Sequence, residues 1–169
     1  FNSTWGYNIG ECKMWKRFTG EQVTDIETTL LTDIASIQDE HNLSFYIGGD
    51  SMKRCDTTTY TVVLVMLMEG KGGRGYYKNI KIKDVNISMQ QRLFKETYEA
   101  VETALFINPI LESIGYNIKE IHTDINPKSK YASSEMVKQV IGYCMGMGFE
   151  GVLKPNSWAA MECADKFSK

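Results

Sequence analysis

The segment 121–127 (IHTDINP) combines residue types and spacing that could do chemistry at the end of a strand. Its apolar start predicts a short strand and its polar end predicts a loop. Because side chains alternate faces along a strand, we expect His122 and Asp124 to point the same way. Open α/β folds place their chemistry at the carboxyl ends of strands, so Asp124 is a candidate functional group. Three further carboxylates could reach the same place: Asp50, Glu96 and Asp165.

Each of these three carboxylates also has an ordinary structural explanation. Asp50 follows two glycines at a predicted strand end, where Asp and Gly form turns, although glycines also permit close approach of a ligand. Glu96 flanks the apolar face of a predicted helix, so it could overhang the sheet or remain a surface glutamate. Asp165 lies among small residues of a final helix, where it is either exposed or satisfied by metal or hydrogen bonds. Taken singly, each residue leaves both alternatives open.

The first half of the chain predicts one helix and three strands. A helix over residues 21–40, with Thr19 or Thr24 at its start, is indicated by an apolar stripe at helical spacing: Val23, Ile26, Leu30, Ile34 and Ile37. Strands are expected over 43–51, 60–68 and 76–85, and the glycine-rich stretch 69–75 is expected to be a hairpin loop. The lysines of residues 76–85 suit an edge strand.

The second half alternates helices with strands. A helix from Ser88 to about residue 107 is predicted, interrupted at Asn108-Pro109 and ended by Gly115. At about 100° per residue, Glu99 falls opposite the apolar face and is expected to be solvated. We further predict a strand over 118–125, a helix from Ser133 or Ser134 to Gly148, a strand over 149–154 and a final helix from Ser157. This order indicates a mixed sheet covered by helices.

Composition sets broad limits on the protein. The 169 residues, 43% of them apolar, fit a single domain with a real core. The four cysteines form no CxxC pair, which favours reduced thiols and a cytoplasmic location. The longest apolar run, residues 62–68, is too short to span a bilayer, so no membrane partner is expected. Residues 1–20 are rich in aromatic residues and are expected to form an arm, docked on the domain or stacked on a partner.

Charge is distributed unevenly along the chain. The formal net charge is −2, but residues 71–95 hold seven basic residues and a single acidic one, Asp84. A bipolar surface of this kind can steer a polyanion to one face. The alternative is a solvated surface of mixed charge.

Together the four carboxylates follow the order of a ribonuclease H-like site: first strand, first core helix, fourth strand and last helix. From about residue 21 to its end, the chain resembles the YkuK family of the ribonuclease H-like superfamily. The resemblance is carried by Ile47–Ser51, Glu96–Tyr98, Ile121–Ile125, Lys154-Pro155 with Ser157–Ala159, and Ala164-Asp165. The family usually has Thr at the position of Gly49, Gln at that of Met52 and Gly at that of Asn126.

The resemblance implies a fold and a metal site. The fold would be α/β, with a five-stranded mixed sheet (a three-stranded antiparallel meander, then two parallel strands), flanking helices and an extra N-terminal helix in a single domain over residues 21–169. Crowded carboxylates repel unless cations neutralise them, and hard oxygen ligands select Mg²⁺ or Mn²⁺. Asp50 would bridge two ions, with Glu96 and Asp124 on one and Asp165 on the other. His122 would orient a carboxylate or contact phosphate, or be a satisfied strand histidine.

The implied function is hydrolysis of phosphodiester bonds in RNA, an RNA–DNA hybrid or DNA by a two-metal mechanism. The expected substrate contacts are Ser51, Lys53, Arg54, Lys128 and Lys154, with residues 71–95 along the nucleic-acid backbone. The alternative function is a nucleic-acid-binding or protein-interaction module on the same fold, with weak or no catalysis. The oligomeric state is left open.

Overall fold

A computed structural model describes residues 14–37, 42–83 and 85–169. Seven strands form one mixed sheet, in the order β2-β1-β5-β4-β3-β6-β7. The strands are β1 (Trp15–Arg17), β2 (Gln22–Val23), β3 (Leu43–Arg54), β4 (Thr57–Met68), β5 (Gly72–Lys83), β6 (Ile118–His122) and β7 (Glu150–Val152). The helices are α1 (Ile26–Ala35), α2 (Met89–Glu112), α3 (Ser134–Gly146), a π-helix (Ala159–Ala164) and α4 (Asp165–Ser168).

The centre of the sheet is the expected meander followed by two parallel strands. β3, β4 and β5 pair antiparallel over 12 residues each, while β6 pairs parallel with β3 and β7 parallel with β6. The predicted five strands are therefore present, but the sheet has seven, because β2 and β1 extend it beyond β5. The expectation that β5 is an edge strand is wrong where Tyr76 and Tyr77 pair with β1.

β3 continues well past the end of its parallel neighbour. The pairing of β6 with β3 ends at His122 and Gly48, whereas β3 runs on to Arg54. Asp50 therefore lies within a strand, opposite Thr61, and not at the strand end that its preceding glycines suggested. One side of Asp50 is left open for residues that follow β6.

Helices cover both faces of the sheet. One face packs against α1 and α2 in a core that includes Leu30, Ile47, Leu64 and Ala104. The opposite face packs against the π-helix and α4, with Val63, Val65, Ala159 and Ala164 buried between them. A third cluster joins α3 to the start of α2 and to the segment after β6. Alternation along β3 therefore points successive residues toward different helices.

The N-terminal helix is shorter than predicted. The side chain of Asp25 caps α1 by accepting a hydrogen bond from the Thr28 backbone N–H, so neither Thr19 nor Thr24 is the cap. Val23, which belongs to the apolar stripe, is buried in β2 instead. Residues 38–40 of the predicted helix and residues 1–13 of the predicted arm lie outside the described residues. The division into an arm over 1–20 and a domain over 21–169 stays a prediction.

α2 is longer and more deeply buried than its pattern indicated. A capping box between Ser88 and Gln91 starts it, and it continues through Pro109 to Glu112. Glu99 is 1% exposed, because Lys95 lies one turn away and pairs with it at 2.7 Å. The expectation of a solvated Glu99 is therefore wrong, since α2 packs against β3, β4, β6 and α3.

The C-terminal elements also differ from the expected lengths. β6 ends at His122, so Asp124 lies in the following loop and strand alternation does not relate the two residues. Ser133 caps α3 as expected, while β7 spans only Glu150–Val152. The final helix begins as a π-helix after Trp158. Within residues 14–37, 42–83 and 85–169, no helix combines the length and apolarity needed to cross a membrane.

Candidate active site

Asp50 is held on the face of β3 that packs against the C-terminal helices. Its carboxylate accepts a hydrogen bond of 2.8 Å from the Ser168 hydroxyl of α4, and the residue is 5% exposed. Burial, together with the negative charges of Asp124 and Asp165, raises the pKa of Asp50 to about 6. Two other predicted site residues are thus close enough to act electrostatically on Asp50.

Glu96 reaches the same region from the opposite face of the sheet. One carboxylate oxygen accepts a hydrogen bond of 2.8 Å from Ser51, and the other accepts one of 3.3 Å from the backbone N–H of Asp124. Glu96 is 2% exposed, and burial plus the charges of Asp50 and Asp124 raise its pKa well above the ordinary value. This side chain therefore links α2 to β3 and to the loop after β6.

Asp124 is paired with a lysine from the segment after β7. Lys154 Nζ lies 2.6 Å from its carboxylate, and both side chains are partly exposed. The Lys154 backbone N–H also donates to the carbonyl of Ile125 at 3.0 Å, which fixes the two loops side by side. Lys154 therefore neutralises part of the charge at this site.

Asp165 stands where the π-helix passes into α4. Its carboxylate pairs with Lys169 at 3.1 Å and is about half exposed. Its carbonyl accepts a hydrogen bond of 3.0 Å from the same Ser168 hydroxyl that contacts Asp50. Ser168 thus ties the end of α4 to the Asp50 carboxylate and to the backbone of Asp165.

His122 is engaged on both ring nitrogens. Nδ1 accepts a hydrogen bond of 3.0 Å from the Ala159 backbone N–H, and Nε2 lies 2.7 Å from the Glu120 carboxylate. The ring is fully buried between Tyr46 and Trp158. Burial lowers its pKa although Glu120 opposes this, so the neutral ring holds the start of the π-helix. In this geometry His122 positions a helix and has no nitrogen left for phosphate.

Some of the residues predicted to bind substrate contact the carboxylates, and others are exposed. The Ser51 hydroxyl donates a hydrogen bond to Glu96, and Lys154 forms an ion pair with Asp124. Lys53 donates to the carbonyl of Val85 at 3.3 Å. Arg54 and Lys128 are exposed. Ser51 and Lys154 therefore support the carboxylates, whereas the exposed Arg54 and Lys128 remain available to a ligand.

Two residues that contribute to this arrangement were missed from the sequence. Ser168 lies three residues after Asp165, a helical spacing that places both on one side of a turn. Glu120 lies two residues before His122, so strand alternation puts the two on one face. Both signals are visible in the sequence, but each becomes specific only when its partner is known.

The four carboxylates have the chemistry that a hard divalent cation requires. Asp50 and Glu96 both have raised pKa values, partly because of neighbouring carboxylates, and a bound cation would relieve that repulsion. Within the described part of the chain, however, no three His, Cys, Asp or Glu side chains are arranged to hold a metal ion. Each of the four carboxylates instead contacts a serine or lysine side chain: Ser51, Ser168, Lys154 or Lys169. The donor set fits Mg²⁺ or Mn²⁺, and binding would displace some of these contacts.

Comparison with known proteins agrees with the fold. A family model described as "Ribonuclease H-like" matches residues 27–169. The chain belongs to the ribonuclease H-like family. This ribonuclease H-like chain is also 26% identical, over 177 aligned positions, to the "Uncharacterized protein YkuK" of Bacillus subtilis (strain 168). The alignment covers 96% of each protein and confirms the resemblance to the YkuK family. No solved structure gives a significant match.

Membership of the ribonuclease H-like family accounts for the central architecture. The match begins within α1 and includes every strand from β3 onward, together with all four carboxylates. β1 and β2 lie before the matched region. Family membership indicates a nuclease-type or nucleic-acid-related role, and the relative's printed name adds no activity to this.

Proposed function

We propose that this protein is a divalent-metal-dependent nuclease that hydrolyses phosphodiester bonds of RNA, an RNA–DNA hybrid or DNA. The observation that carries the proposal is the buried carboxylate of Asp50, whose pKa is raised to about 6 by burial and by Asp124 and Asp165. Buried, mutually repelling carboxylates are costly for stability and are typical of functional sites. A structural role alone gives no reason for collecting them here.

In this proposal the ligands are Asp50, Glu96, Asp124 and Asp165, and the cofactor is Mg²⁺ or Mn²⁺. Two ions would supply an activated water and neutralise charge that develops on the phosphodiester. The chain's own residues hold the donors in place: Ser168 orients Asp50, while Ser51 orients Glu96. His122 is a positioning residue, because it fixes the helix that carries Asp165.

Lys154 has a separate part in the proposed reaction. Its ammonium group offsets the charge of Asp124 while no cation is bound. A cation held by Asp124 would leave Lys154 free to contact a phosphate oxygen of the substrate. Lys128, exposed in the loop after Asp124, is placed to contact the same polymer.

The test is cleavage of labelled RNA, RNA–DNA hybrid and DNA oligonucleotides with Mg²⁺, Mn²⁺ or EDTA. We expect metal-dependent cleavage of at least one polymer, reduced about 100-fold or more in Asp50→Asn and Asp124→Asn. Glu27→Gln is the matched control, because Glu27 is exposed on α1, away from the four carboxylates. Equal cleavage by Asp50→Asn and the wild type, with an unchanged circular dichroism spectrum, would refute the proposal.

A second function is favoured by one specific observation. The carboxylates are engaged by lysines and serines instead of being arranged as a ligand set, which suits a nucleic-acid-binding module with weak or no catalysis. Isothermal titration with Mn²⁺ separates the two functions. Heat of binding that disappears in Asp50→Asn favours the nuclease, whereas binding of oligonucleotides without any Mn²⁺ binding favours the module. A cytoplasmic location remains a prediction for both.

A further inference from the structure

The strand register divides the lysines of β5 between the two faces of the sheet. Asp50, Thr61 and Asn79 are cross-strand neighbours on β3, β4 and β5, and they face the C-terminal helices. Lys81 and Lys83 follow Asn79 at intervals of two residues, so alternation puts them on the face of Asp50. Lys78 and Lys95, in contrast, are 9% and 5% exposed within the fold.

The π-helix and α4 pack on this face of the sheet as far as the row that contains Asp50. Phe167 of α4 stacks on Tyr77 with ring centroids 4.1 Å apart, and its carbonyl accepts a hydrogen bond of 3.3 Å from Asn79. α4 ends at Ser168, beside Asp50. Beyond this row each of the three strands continues for four more residues toward the turn between β3 and β4, so two more rows point to this face.

These two further rows form a surface that we call the hairpin platform. It consists of six residues: Met52, Thr59 and Lys81 in the first row, and Arg54, Thr57 and Lys83 in the second. Arg54, Lys81 and Lys83 are exposed, and the other three are partly exposed. The alternate rows point to the reverse face, where Thr58 and Tyr60 are almost fully buried.

The chemistry of the hairpin platform suits phosphate groups. It offers one guanidinium, two ammonium groups and two threonine hydroxyls, and none of its six side chains is acidic or aromatic. Among the described residues, the acidic side chain in contact with the platform is Asp56, which accepts a hydrogen bond of 3.2 Å from the Thr57 hydroxyl and forms an ion pair of 3.6 Å with Lys83. Both side chains of that pair are largely exposed, so it offsets little of the positive charge. Without aromatic side chains, the platform offers contacts to the backbone of a nucleic acid but no stacking surface for bases.

We propose that the hairpin platform binds the phosphate backbone of a nucleic-acid strand and leads it to Asp50. This inference rests on the proposed function, because it specifies how the polymer approaches the same carboxylates. Four residues of a strand span about 13 Å, so the platform extends about that far from the row of Asp50. At about 3.4 Å per nucleotide of a stacked strand, it accommodates about four nucleotides on one side of the reacting bond.

The test is binding of fluorescein-labelled eight-nucleotide single strands of DNA and RNA in EDTA, followed by anisotropy at several salt concentrations. The platform variant is Arg54→Gln with Lys81→Gln. The matched control is Lys119→Gln with Lys138→Gln, which removes two exposed charges from β6 and α3, outside residues 71–95. For single strands the slope of log affinity against log salt changes by about 0.7 for each phosphate that the protein no longer neutralises.

We expect the platform variant to bind about tenfold more weakly near 0.1 M salt and to have a slope shallower by about 1.4. The control should keep the affinity and slope of the wild type. The platform proposal would be refuted if the two variants had equal affinities and salt slopes, or if the wild type bound neither polymer. The proposed function is decided separately by metal-dependent cleavage, because a failed platform with intact cleavage implies another route to Asp50. If Asp50→Asn loses cleavage but binds the oligonucleotides as the wild type does, the result supports both the proposed function and the platform.

Discussion

Gly48 of β3 and Ala159 of the π-helix approach so closely that no side chain fits between them. A Cβ atom on Gly48 would lie 2.6 Å from the carbonyl carbon and oxygen of Ala159. Gly49, the next residue, faces the other way, where a Cβ would lie 3.3 Å from the carbonyl oxygen of Glu96. These neighbouring glycines admit one helix to each face of the sheet, directly before Asp50. The carboxylates of Glu96 and Asp165 approach Asp50 by these two routes.

The first prediction compares these two glycines. Gly48→Ala should lower the free energy of unfolding by about 3 kcal/mol or more, because the clash is with backbone that cannot rotate away. Gly49→Ala should change it by less than about 1 kcal/mol, since its contacts at 3.3 to 3.5 Å need only small shifts and alanine suits a strand better than glycine. Urea denaturation of both variants measures the difference. Equal stability of the two would mean that the π-helix is not seated on β3 as described.

The second prediction concerns the cost of ionising Asp50 in the metal-free protein. Its pKa is raised to about 6, so the folded state holds a proton that the unfolded state releases near pH 4. The contribution of Asp50 to stability therefore falls as pH rises from about 4 to 6 and stays low above that range. Asp50→Asn removes this cost and should stabilise the metal-free protein at pH 8 by about 1–2 kcal/mol.

Thermal melts at pH 5 and pH 8, with and without Mn²⁺, measure this effect. The stability gained by Asp50→Asn should be smaller at pH 5, where the wild-type carboxyl is mostly protonated. Mn²⁺ should raise the melting temperature of the wild type but not that of the variant. An Asp50→Asn protein less stable than the wild type at pH 8 in EDTA would contradict the prediction.

The third prediction concerns the competition between Lys154 and a cation for Asp124. The pair is 2.6 Å long and partly exposed, so its strength is about 0.2–1 kcal/mol. Lys154→Met should therefore tighten Mn²⁺ binding by about two- to fivefold in isothermal titration, while cleavage should decrease because the side chain can no longer bind a phosphate oxygen. Lys138→Met is the control, because Lys138 is exposed on α3 and is not among the expected substrate contacts. Weaker Mn²⁺ binding in Lys154→Met would show that the lysine supports the site and does not compete for it.

The strongest sequence signals predicted the core elements well. The apolar run in β4, the capping residues Ser88 and Ser133, and the glycines at 115 and 148 all occur where the local chemistry requires them. Both glycines have positive φ, of 87° and 93°, which other residues rarely adopt. These features depend on a few neighbouring residues and are therefore readable from the chain alone.

The errors occur where a distant partner determines the structure. β1 has three residues and β2 has two, too few to show the side-chain alternation of a strand. They form because β1 pairs with β5 and β2 pairs with β1. Glu99 was expected to be solvated because it falls opposite the apolar face of α2, but its charge is balanced by Lys95, which is buried beside it. The role of Ser51 was also ambiguous, because the Glu96 that occupies it comes from another element. A pattern of residue types predicts that a side chain has a partner, but not which one.

The fourth prediction concerns Asp33, which ties α1 to the N-terminal strand and to β5. Its carboxylate accepts hydrogen bonds from Arg17 and from the Tyr76 hydroxyl. Burial opposes ionisation, but the hydrogen bonds from Arg17 and Tyr76 outweigh it and lower the pKa of Asp33. Asp33→Asn should cost about 1–2 kcal/mol at pH 7, because Arg17 loses its charged acceptor. Glu27→Gln, an exposed change on the same helix, should cost almost nothing.

The effect of Asp33→Asn should depend on pH in one direction. A lowered pKa gives stability that is present above the unfolded value of about 3.8 and is lost as pH falls through the lower folded value. The difference in free energy of unfolding between wild type and variant, measured by guanidinium denaturation, should therefore be constant from pH 5 to 7. It should become smaller below about pH 3.8. A gap that widens in acid would mean that the Asp33 carboxylate is not held in its ionised form.

The fifth prediction distinguishes positioning from catalysis at His122. His122→Phe keeps an aromatic ring between Tyr46 and Trp158 but removes the acceptor for the Ala159 N–H, which is buried. A buried donor without a partner costs about 1–3 kcal/mol, so the variant should melt earlier and its Trp158 near-ultraviolet signal should change. Glu120→Gln retains an oxygen for Nε2 and should cost less than about 1 kcal/mol. Because His122 acts through the helix carrying Asp165, Mn²⁺ binding and cleavage should weaken together in His122→Phe. Normal melting with complete loss of cleavage would instead indicate that the ring acts directly on the substrate.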